Sequence, residues 1–137
     1  MDEYVLMERS PTVEEYRNLR HAVEWGNVDI DATEIGLHNS LFAVCAVKDG
    51  QVIGCGRVIG DRGIYFYIQD IIVLPEFQGE GIGRAIMAAV MDYLETNASP
   101  NAFIGLMAAK GVSKFYERYG FRERDADSPG MFRVWGK

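Results

Sequence analysis

Three glycines, Gly79, Gly81 and Gly83, lie between an apolar stretch and a stretch of helical periodicity. Glycine lets the backbone take a positive φ and lets a ligand approach it closely. The first N–H groups of a helix have no partner inside it, and with the positive end of the helix dipole they attract an anion. Arg84 would add a charge-assisted contact. The spacing predicts an anion-binding turn; the alternative is a turn that only joins a strand to a helix.

Two common nucleotide-binding patterns do not fit this turn. The dinucleotide fingerprint G-x-G-x-x-G needs a third glycine at the position that Arg84 occupies. The phosphate-binding loop of many nucleotide hydrolases needs Gly-Lys-Ser or Gly-Lys-Thr, and neither occurs in the chain. A nucleotide-binding domain is therefore a weak alternative.

Two helices are predicted ahead of the glycine turn. Thr12 and Glu15 have the spacing of a capping box, and apolar residues then repeat every three or four positions to about Trp25. A second helix is predicted from Asp31, with Glu34 completing its cap. This pair of helices precedes the strands that lead to the turn.

Strands are predicted next, after a short first strand at residues 4–7. Residues 41–47 and 52–59 are β-prone runs, and the Asp-Gly pair between them is typical of a hairpin turn. A long strand follows at residues 64–74. Pro75 closes it, because proline has no N–H for the ladder.

The pattern beyond the turn predicts a helix over residues 81–97, a buried strand over 102–108 and a helix over 112–120. A last strand is predicted over residues 131–135, after a Ser-Pro-Gly turn. The resulting order, β-α-α-β-β-β-α-β-α-β, is typical of a mixed α/β protein.

Length and composition restrict the function further. The 137 residues predict one domain over residues 1–137. The net charge of −6 argues against nucleic acid as a partner. No apolar run approaches the roughly 20 residues of a membrane span, and the N-terminus has no signal-peptide pattern, so no membrane partner is expected. Cys45 and Cys55, both in apolar runs, predict reduced buried thiols and a cytoplasmic location.

Three segments resemble one enzyme family. Gln78-x-x-Gly81-x-Gly83 resembles the Q/R-x-x-G-x-G/A signature of the GNAT superfamily of N-acetyltransferases. Residues 67–73 resemble its fourth strand, and residues 115–121 match its F-Y-x-x-x-G-F block. The resemblance covers nearly the whole chain. It implies a mostly antiparallel central sheet with a splayed parallel pair of strands, helices on both faces, and acetyl-coenzyme A as co-substrate.

The resemblance also implies where the cofactor lies. The turn would cradle the pyrophosphate of coenzyme A, and the pantetheine would lie along the fourth strand. The amide of Val73, or a neighbour, would stabilise the oxyanion that develops on the thioester carbonyl. The residues implied in cofactor binding are Ile71, Ile72, Val73, Gln78, Gly79, Glu80, Gly81, Ile82, Gly83 and Arg84.

Two side chains are the predicted catalysts. A primary amine, with a pKa near 10.4, must lose a proton before it attacks, and Asp70 is the predicted base, directly or through water. The alternative is a structural carboxylate that caps a loop or pairs with an arginine. Tyr116 is the predicted acid for the departing thiolate, and the alternative is a core residue. Gln69 stands where related enzymes often carry glutamate, and it cannot act as a base.

The predicted function is therefore transfer of an acetyl group to a primary amine of a small molecule or peptide by direct attack. The alternative is a non-catalytic acyl-coenzyme A binding or sensing module. A covalent route through Cys45 or Cys55 is disfavoured, because no histidine lies close in sequence to activate either thiol. No cluster of His and Cys has metal-ligand spacing, so no metal is expected. The sequence leaves the acceptor and a homodimer open.

Overall fold

Five strands form one sheet in the computed structural model, which describes residues 3–137. They are β1 (Val5–Met7), β2 (Phe42–Lys48), β3 (Gln51–Gly60), β4 (Tyr65–Val73) and β5 (Phe103–Leu106). They lie in the sheet in the order of the chain, and every neighbouring pair is antiparallel except β4 and β5, which are parallel. The predicted mixed α/β class, with its mostly antiparallel sheet and parallel pair, is confirmed.

Four helices accompany the sheet within residues 3–137: α1 (Val13–Ala22), α2 (Ile30–His38), α3 (Ile82–Asn97) and α4 (Ser113–Glu117). Consecutive residues of a strand point to opposite faces of the sheet. On β3, Gly56 faces α3, while the side chain of Arg57 bonds to the carbonyl of Gly36 in α2. Helices thus cover both faces, with α1 and α2 on one and α3 on the other. None of the helices has the length and apolar character to cross a membrane.

Close packing against β3 places α3. A Cβ on Gly56 would lie only 2.6 Å from Cγ2 of Ile86 and 2.7 Å from Cδ1 of Ile71. Ile86 and Val90 of α3 are completely buried here. Burial of each such side chain stabilises the fold by about 1.5–3 kcal/mol. Only glycine at position 56 therefore lets the helix lie this close, and the packing holds the N-terminus of α3 at the end of β4.

The chain divides into two compact units, residues 3–106 and residues 107–137. The first contains the sheet with α1, α2 and α3. The second contains α4, and its remaining residues form no regular element. A single domain over residues 1–137 stays a prediction.

Two local predictions are confirmed in detail. Thr12 Oγ1 accepts from Glu15 N at 3.1 Å, and Glu15 Oε1 accepts from Thr12 N at 2.9 Å, which completes the capping box of α1. Asp49 and Gly50 take positive φ values of 52° and 77° in the β2–β3 turn. Positive φ at both positions is the requirement of a two-residue hairpin turn, and it explains the Asp-Gly pair.

The predicted limits of the first two helices were wrong. α1 ends at Ala22 and does not reach Trp25, because Glu24 enters the left-handed region with a φ of 61°. The cap of α2 is Asp29, whose Oδ2 accepts from Ala32 N at 2.8 Å, so the predicted Asp31–Glu34 cap does not form. Both corrections concern helix ends, where a single capping bond or one residue with a positive φ decides the boundary.

Predictions near the C-terminus needed larger corrections. β5 is shorter than the predicted 102–108 strand, and Phe103 is 51% exposed because β5 is a sheet edge. α4 covers only Ser113–Glu117, less than the predicted 112–120. Residues 131–135 form no strand. An alternating apolar pattern makes a strand only where a neighbouring strand pairs with its N–H and C=O groups. Residues 107–137 contain no strand that could pair with residues 131–135.

Candidate active site

The glycine turn leads from β4 into the first turn of α3. A single 3-10 turn, Pro75–Phe77, follows β4, and Gly81 caps α3 with a left-handed φ of 88°. Gly79 also has a positive φ, of 84°. No side chain caps α3, and its first backbone bond runs from Ala85 N to Gly81 O. The N–H groups of residues 82–84 therefore have no partner inside the helix, which is the arrangement that an anion site needs.

The space around this turn is open. A Cβ built on Gly79 or on Gly81 would have no neighbouring atom within 4 Å, so neither glycine is required for packing. Gln78 Nε2 donates to the carbonyl of Val73 at 2.9 Å and closes the loop against the end of β4. Of the other residues predicted to bind the cofactor, Glu80 and Arg84 are exposed, Ile71 and Gly83 are half-buried, and Ile72 and Ile82 are buried.

β4 has an open side near the turn. β5 pairs with β4 only as far as Ile68, whose partner is Leu106, and β4 continues to Val73 with no other described strand on that side. Leu74 N donates to Ile53 O of β3 at 2.9 Å. Successive residues of a strand direct their N–H groups to opposite sides. The amide of Val73 therefore points away from β3, into the gap beyond the end of β5.

The carboxylate of Asp70, in the middle of β4, is fully enclosed, with a side-chain exposure of 0%. Arg57 Nε donates to its Oδ2 at 2.7 Å, and the Tyr16 hydroxyl donates to the same oxygen at 3.0 Å. Gln69 Nε2 donates to Oδ1 at 3.2 Å. Three donors and complete burial favour the arginine-paired structural carboxylate, the alternative that the sequence left open. The role of Asp70 as a base stays a prediction.

Arg57 and Tyr16 are candidates that the sequence analysis missed. Arg57 Nη1 also donates to Gly36 O at 3.3 Å and to Ser40 Oγ at 3.2 Å. Burial, and then the charge of Asp70, raises the pKa of Tyr16, so its hydroxyl remains a donor at neutral pH. A signal for Arg57 existed, because it is the one charged residue in the apolar β3 sequence. Tyr16 gave no such signal, because its position also fits the core periodicity of α1.

Tyr116 lies in α4, in the unit of residues 107–137. Its ring packs edge-on against Phe115 and Phe121, at centroid distances of 5.1 Å and 6.5 Å. Burial raises the pKa of Tyr116. Within residues 107–137 its hydroxyl makes no hydrogen bond. A fixed ring with an unoccupied hydroxyl suits a proton donor, and the acid role stays a prediction.

The two thiols and the two histidines have environments that do not activate them for catalysis. Cys45 and Cys55 are buried and unbridged; burial raises the pKa of Cys45 to about 11 and also raises the pKa of Cys55. Both are therefore neutral thiols at pH 7, the weakly nucleophilic form. His21 and His38 are exposed. Among residues 3–137 no group of three or more His, Cys, Asp and Glu side chains is arranged to hold a metal ion.

The predicted site residues are divided between the two units. Asp70, the open side of β4 and the glycine turn follow one another in residues 3–106, on one strand and the helix after it. Tyr116 belongs to residues 107–137. The first set can hold an anionic cofactor along a strand edge, and the second supplies a phenol.

Similarity to known proteins extends over most of the chain. Residues 38–123 match the family model described as an acetyltransferase (GNAT) domain. The chain is 25% identical to the uncharacterized N-acetyltransferase ycf52 of Pyropia yezoensis over 135 residues, which cover 96% of this chain and 76% of that protein. The name of that relative gives a reaction class and no acceptor.

Solved structures agree in fold. A protein of unknown function from methicillin-resistant Staphylococcus aureus, described as a probable acetyltransferase, has a TM-score of 0.92 and 34% identity over 97% of this chain and 100% of that one. The aminoglycoside N-acetyltransferase AAC(6')-Iy, solved with coenzyme A, has a TM-score of 0.69 over 98% of this chain and 97% of that one; at 19% identity it shows the fold alone. Since the family match spans more than half of the chain and the S. aureus structure is similar throughout, the chain belongs to the GNAT family of acetyltransferases.

Proposed function

We propose that this chain transfers the acetyl group of acetyl-coenzyme A to a primary amine of a small molecule or peptide. The observation that carries the proposal is the open glycine turn at the N-terminus of α3, next to a stretch of β4 that no described strand covers on one side. The turn supplies an anion site, and the uncovered stretch of β4 beside it supplies backbone groups that are free to bind an extended chain. A phosphorylated carrier with a long amide-containing arm has the matching chemistry.

The turn would hold the pyrophosphate. Its ligands are the N–H groups of residues 82–84, which have no intrahelical partner, assisted by the exposed guanidinium of Arg84. Ile82 would contribute through its backbone, because its side chain is buried. The chain's net charge of −6 does not oppose this, since the field at the turn comes from backbone groups within a few ångströms.

The thioester would lie against the end of β4. The amide of Val73 points into the gap and can donate to the thioester oxygen as negative charge develops there. Removing one donor of this kind from an oxyanion site typically costs about 10²–10³ in kcat. This amide is therefore a source of carbonyl polarisation within residues 3–106.

The proposed transfer is direct. The amine loses its proton to water, since the enclosed Asp70 carboxylate has no exposed surface from which to take it. The amine nitrogen then attacks the carbonyl carbon and, now positively charged, gives its second proton to water. The C–S bond breaks as the tetrahedral intermediate collapses. The Tyr116 hydroxyl gives its proton to the leaving thiolate and recovers one from solvent. The products are an N-acetyl amide and coenzyme A.

Turnover is tested by measuring free coenzyme A released from acetyl-coenzyme A in the presence of peptides, polyamines and aminosugars. We expect release that depends on one class of amine, with acetylated product confirmed by mass spectrometry. Tight binding of coenzyme A without release by any amine would contradict transfer and leave the acyl-coenzyme A binding module.

Cofactor identity is tested by thermal unfolding with coenzyme A, ATP and NAD. A ligand at 100 times its dissociation constant adds about 2.7 kcal/mol of stability, or roughly 8 °C for a chain of this size. Gly81→Val should abolish the protection by coenzyme A, because a side chain there would occupy the phosphate position. Gly50→Val is the matched control: Gly50 has a φ of +77° and equally open surroundings, but lies in the β2–β3 turn. ATP and NAD, added at the same concentration as coenzyme A, should raise the melting temperature much less. An equal rise with ATP or NAD at that concentration would contradict the cofactor assignment.

A further inference from the structure

One residue of β4 has a backbone conformation that L-amino acids rarely take. Asp70 has a φ of 60°, in the left-handed region that favours glycine, and such a residue persists only where its neighbours hold it. The register of β3 and β4 changes at the same place, since Cys55 pairs with Ile72 whereas Arg57 pairs with Gln69. β4 therefore has one residue more than β3 at this point, which is a β-bulge.

The bulge decides which amides face the gap beside β4. Ahead of it, the even-numbered Ile64 faces β5, because its carbonyl accepts from Phe103 N at 2.8 Å. After it, the even-numbered Leu74 faces β3, because its N–H donates to Ile53 O at 2.9 Å. Successive residues alternate in direction, so without a bulge Ile64 and Leu74 would face the same strand. Without the bulge, the amide of Val73 would point at β3 instead of into the gap.

Arg57 is the charged partner that fixes Asp70 in this conformation. The two side chains are 2.7 Å apart, with exposures of 14% and 0%, so solvent screens their attraction little. The same guanidinium bonds to Gly36 O in α2 and to Ser40 Oγ just after α2, which ties the bulge to the helices on that face. A rotation of Asp70 out of the left-handed region would break this ion pair.

We propose that Arg57 is a positioning residue for acetyl transfer: through Asp70 it holds the bulge of β4, and the bulge directs the Val73 amide at the thioester carbonyl. The inference rests on the proposed function. It assigns Asp70 the same positioning role, in place of direct proton transfer.

The first test compares Arg57→Met with Arg9→Met. The control removes a second ion pair, Arg9–Glu15, which has the similar distance of 2.8 Å but is more exposed, with side-chain exposures of 35% and 27%. We expect kcat to fall about 10²-fold in Arg57→Met, as for loss of one oxyanion donor. The dissociation constant of coenzyme A should not change, because the turn is intact. Arg9→Met should keep the wild-type kcat.

A spectroscopic measurement separates positioning from general loss of structure. The infrared stretch of acetyl-coenzyme A labelled with ¹³C at the carbonyl falls in frequency when an amide donates to it. Bound to the wild type and to Arg9→Met, the label should show the lowered frequency. Bound to Arg57→Met, it should return toward the value in solution. A wild-type frequency in folded Arg57→Met would overturn the proposal.

The second test compares Asp70→Gly with Asp70→Ala, which remove the same carboxylate. Glycine accepts a positive φ and alanine does not, so positioning through the bulge predicts a kcat about five- to thirtyfold higher for Asp70→Gly. Equal loss in both variants would mean that the carboxylate itself acts as the base, and it would overturn the inference. This pair carries the test if Arg57→Met does not fold. Absence of turnover in the wild type would count against the proposed function, and the carbonyl frequency would still test the positioning.

Discussion

The two predicted catalytic side chains lie in regions of opposite character. In residues 3–106, Asp70 has no exposed surface and receives hydrogen bonds from Arg57, Tyr16 and Gln69. In residues 107–137, Tyr116 has a ring held by aromatic contacts and a hydroxyl without a hydrogen bond in that segment. A polar atom whose bonds are all made inside the protein stabilises a conformation, whereas an unoccupied one is available to a substrate. Position near a predicted site therefore does not by itself identify a proton-transfer group.

The largest effect is expected for Tyr116→Phe. If this hydroxyl protonates the leaving thiolate, kcat should fall about 10²–10⁴-fold, which corresponds to about 3–5 kcal/mol in the barrier. The free energy of unfolding should change by no more than about 0.5 kcal/mol, since no hydrogen bond of the segment is lost. Steady-state kinetics and urea unfolding measure the two quantities. Tyr119→Phe, whose ring also packs on Phe115, is the control and should be nearly silent. Wild-type turnover with chemistry rate-limiting would make Tyr116 a core residue.

The matching change in residues 3–106 is Tyr16→Phe. It should lower the free energy of unfolding more than Tyr116→Phe does and lower kcat less. It removes a buried hydroxyl that donates to Asp70 at 3.0 Å. A hydrogen bond to a charged group contributes about 1.5–3 kcal/mol, so the free energy of unfolding should fall by that amount in urea titration. The loss of kcat should be much smaller than in Tyr116→Phe. If Tyr16→Phe is as stable as the wild type, the contrast between the two regions fails.

A pair of glycine substitutions tests how tightly each region is packed. Gly56→Ala places a methyl 2.6 Å from Ile86 and 2.7 Å from Ile71, next to the bulge. Overpacking of this kind typically destabilises by about 1–3 kcal/mol. Gly130→Ala, in residues 107–137, meets no atom within 4 Å and should stay within about 0.5 kcal/mol of wild type. Thermal unfolding of the two variants measures the difference. Equal stabilities would show that α3 and β3 can separate enough to accept the methyl group at little cost.

The smallest effect is a pH dependence that originates in residues 3–106. Burial raises the pKa of Cys45 from 9.0 to about 11, so the fold favours the neutral thiol. This contribution is complete below pH 9 and is lost as pH rises from about 9 to 11, because only the unfolded chain ionises readily in that window. The slope is at most about 1.4 kcal/mol per pH unit. Urea midpoints between pH 8 and 10.5 should fall with pH, and Cys45→Ala should flatten the decline. A rise in stability over this window would contradict the assigned direction.

Much of the fold could be predicted because its signals are local. The Thr12–Glu15 cap and the Asp49–Gly50 turn each depend on contacts within a few residues, and both formed as expected. The order of the elements along the chain as far as β5, and the long α3, follow from periodicity over whole elements. Local signals were insufficient at residues 131–135, which have β-propensity but form no strand because none lies beside them in residues 107–137. They were also insufficient at the start of α2, where Asp29 is the N-cap and not Asp31.

The sequence by itself determined the family signature, the glycine turn and the helix behind it, because backbone conformation and orphan N–H groups arise within a single strand–turn–helix segment. Only the tertiary structure decided the environment of Asp70. Its partners Arg57 and Tyr16 lie 13 and 54 residues away along the chain, and no periodicity or motif joins them. The bulge that turns the Val73 amide toward the gap depends on the pairing of β3 with β4. Register between strands is set by packing across the whole sheet, so it becomes visible only when the strands are assembled.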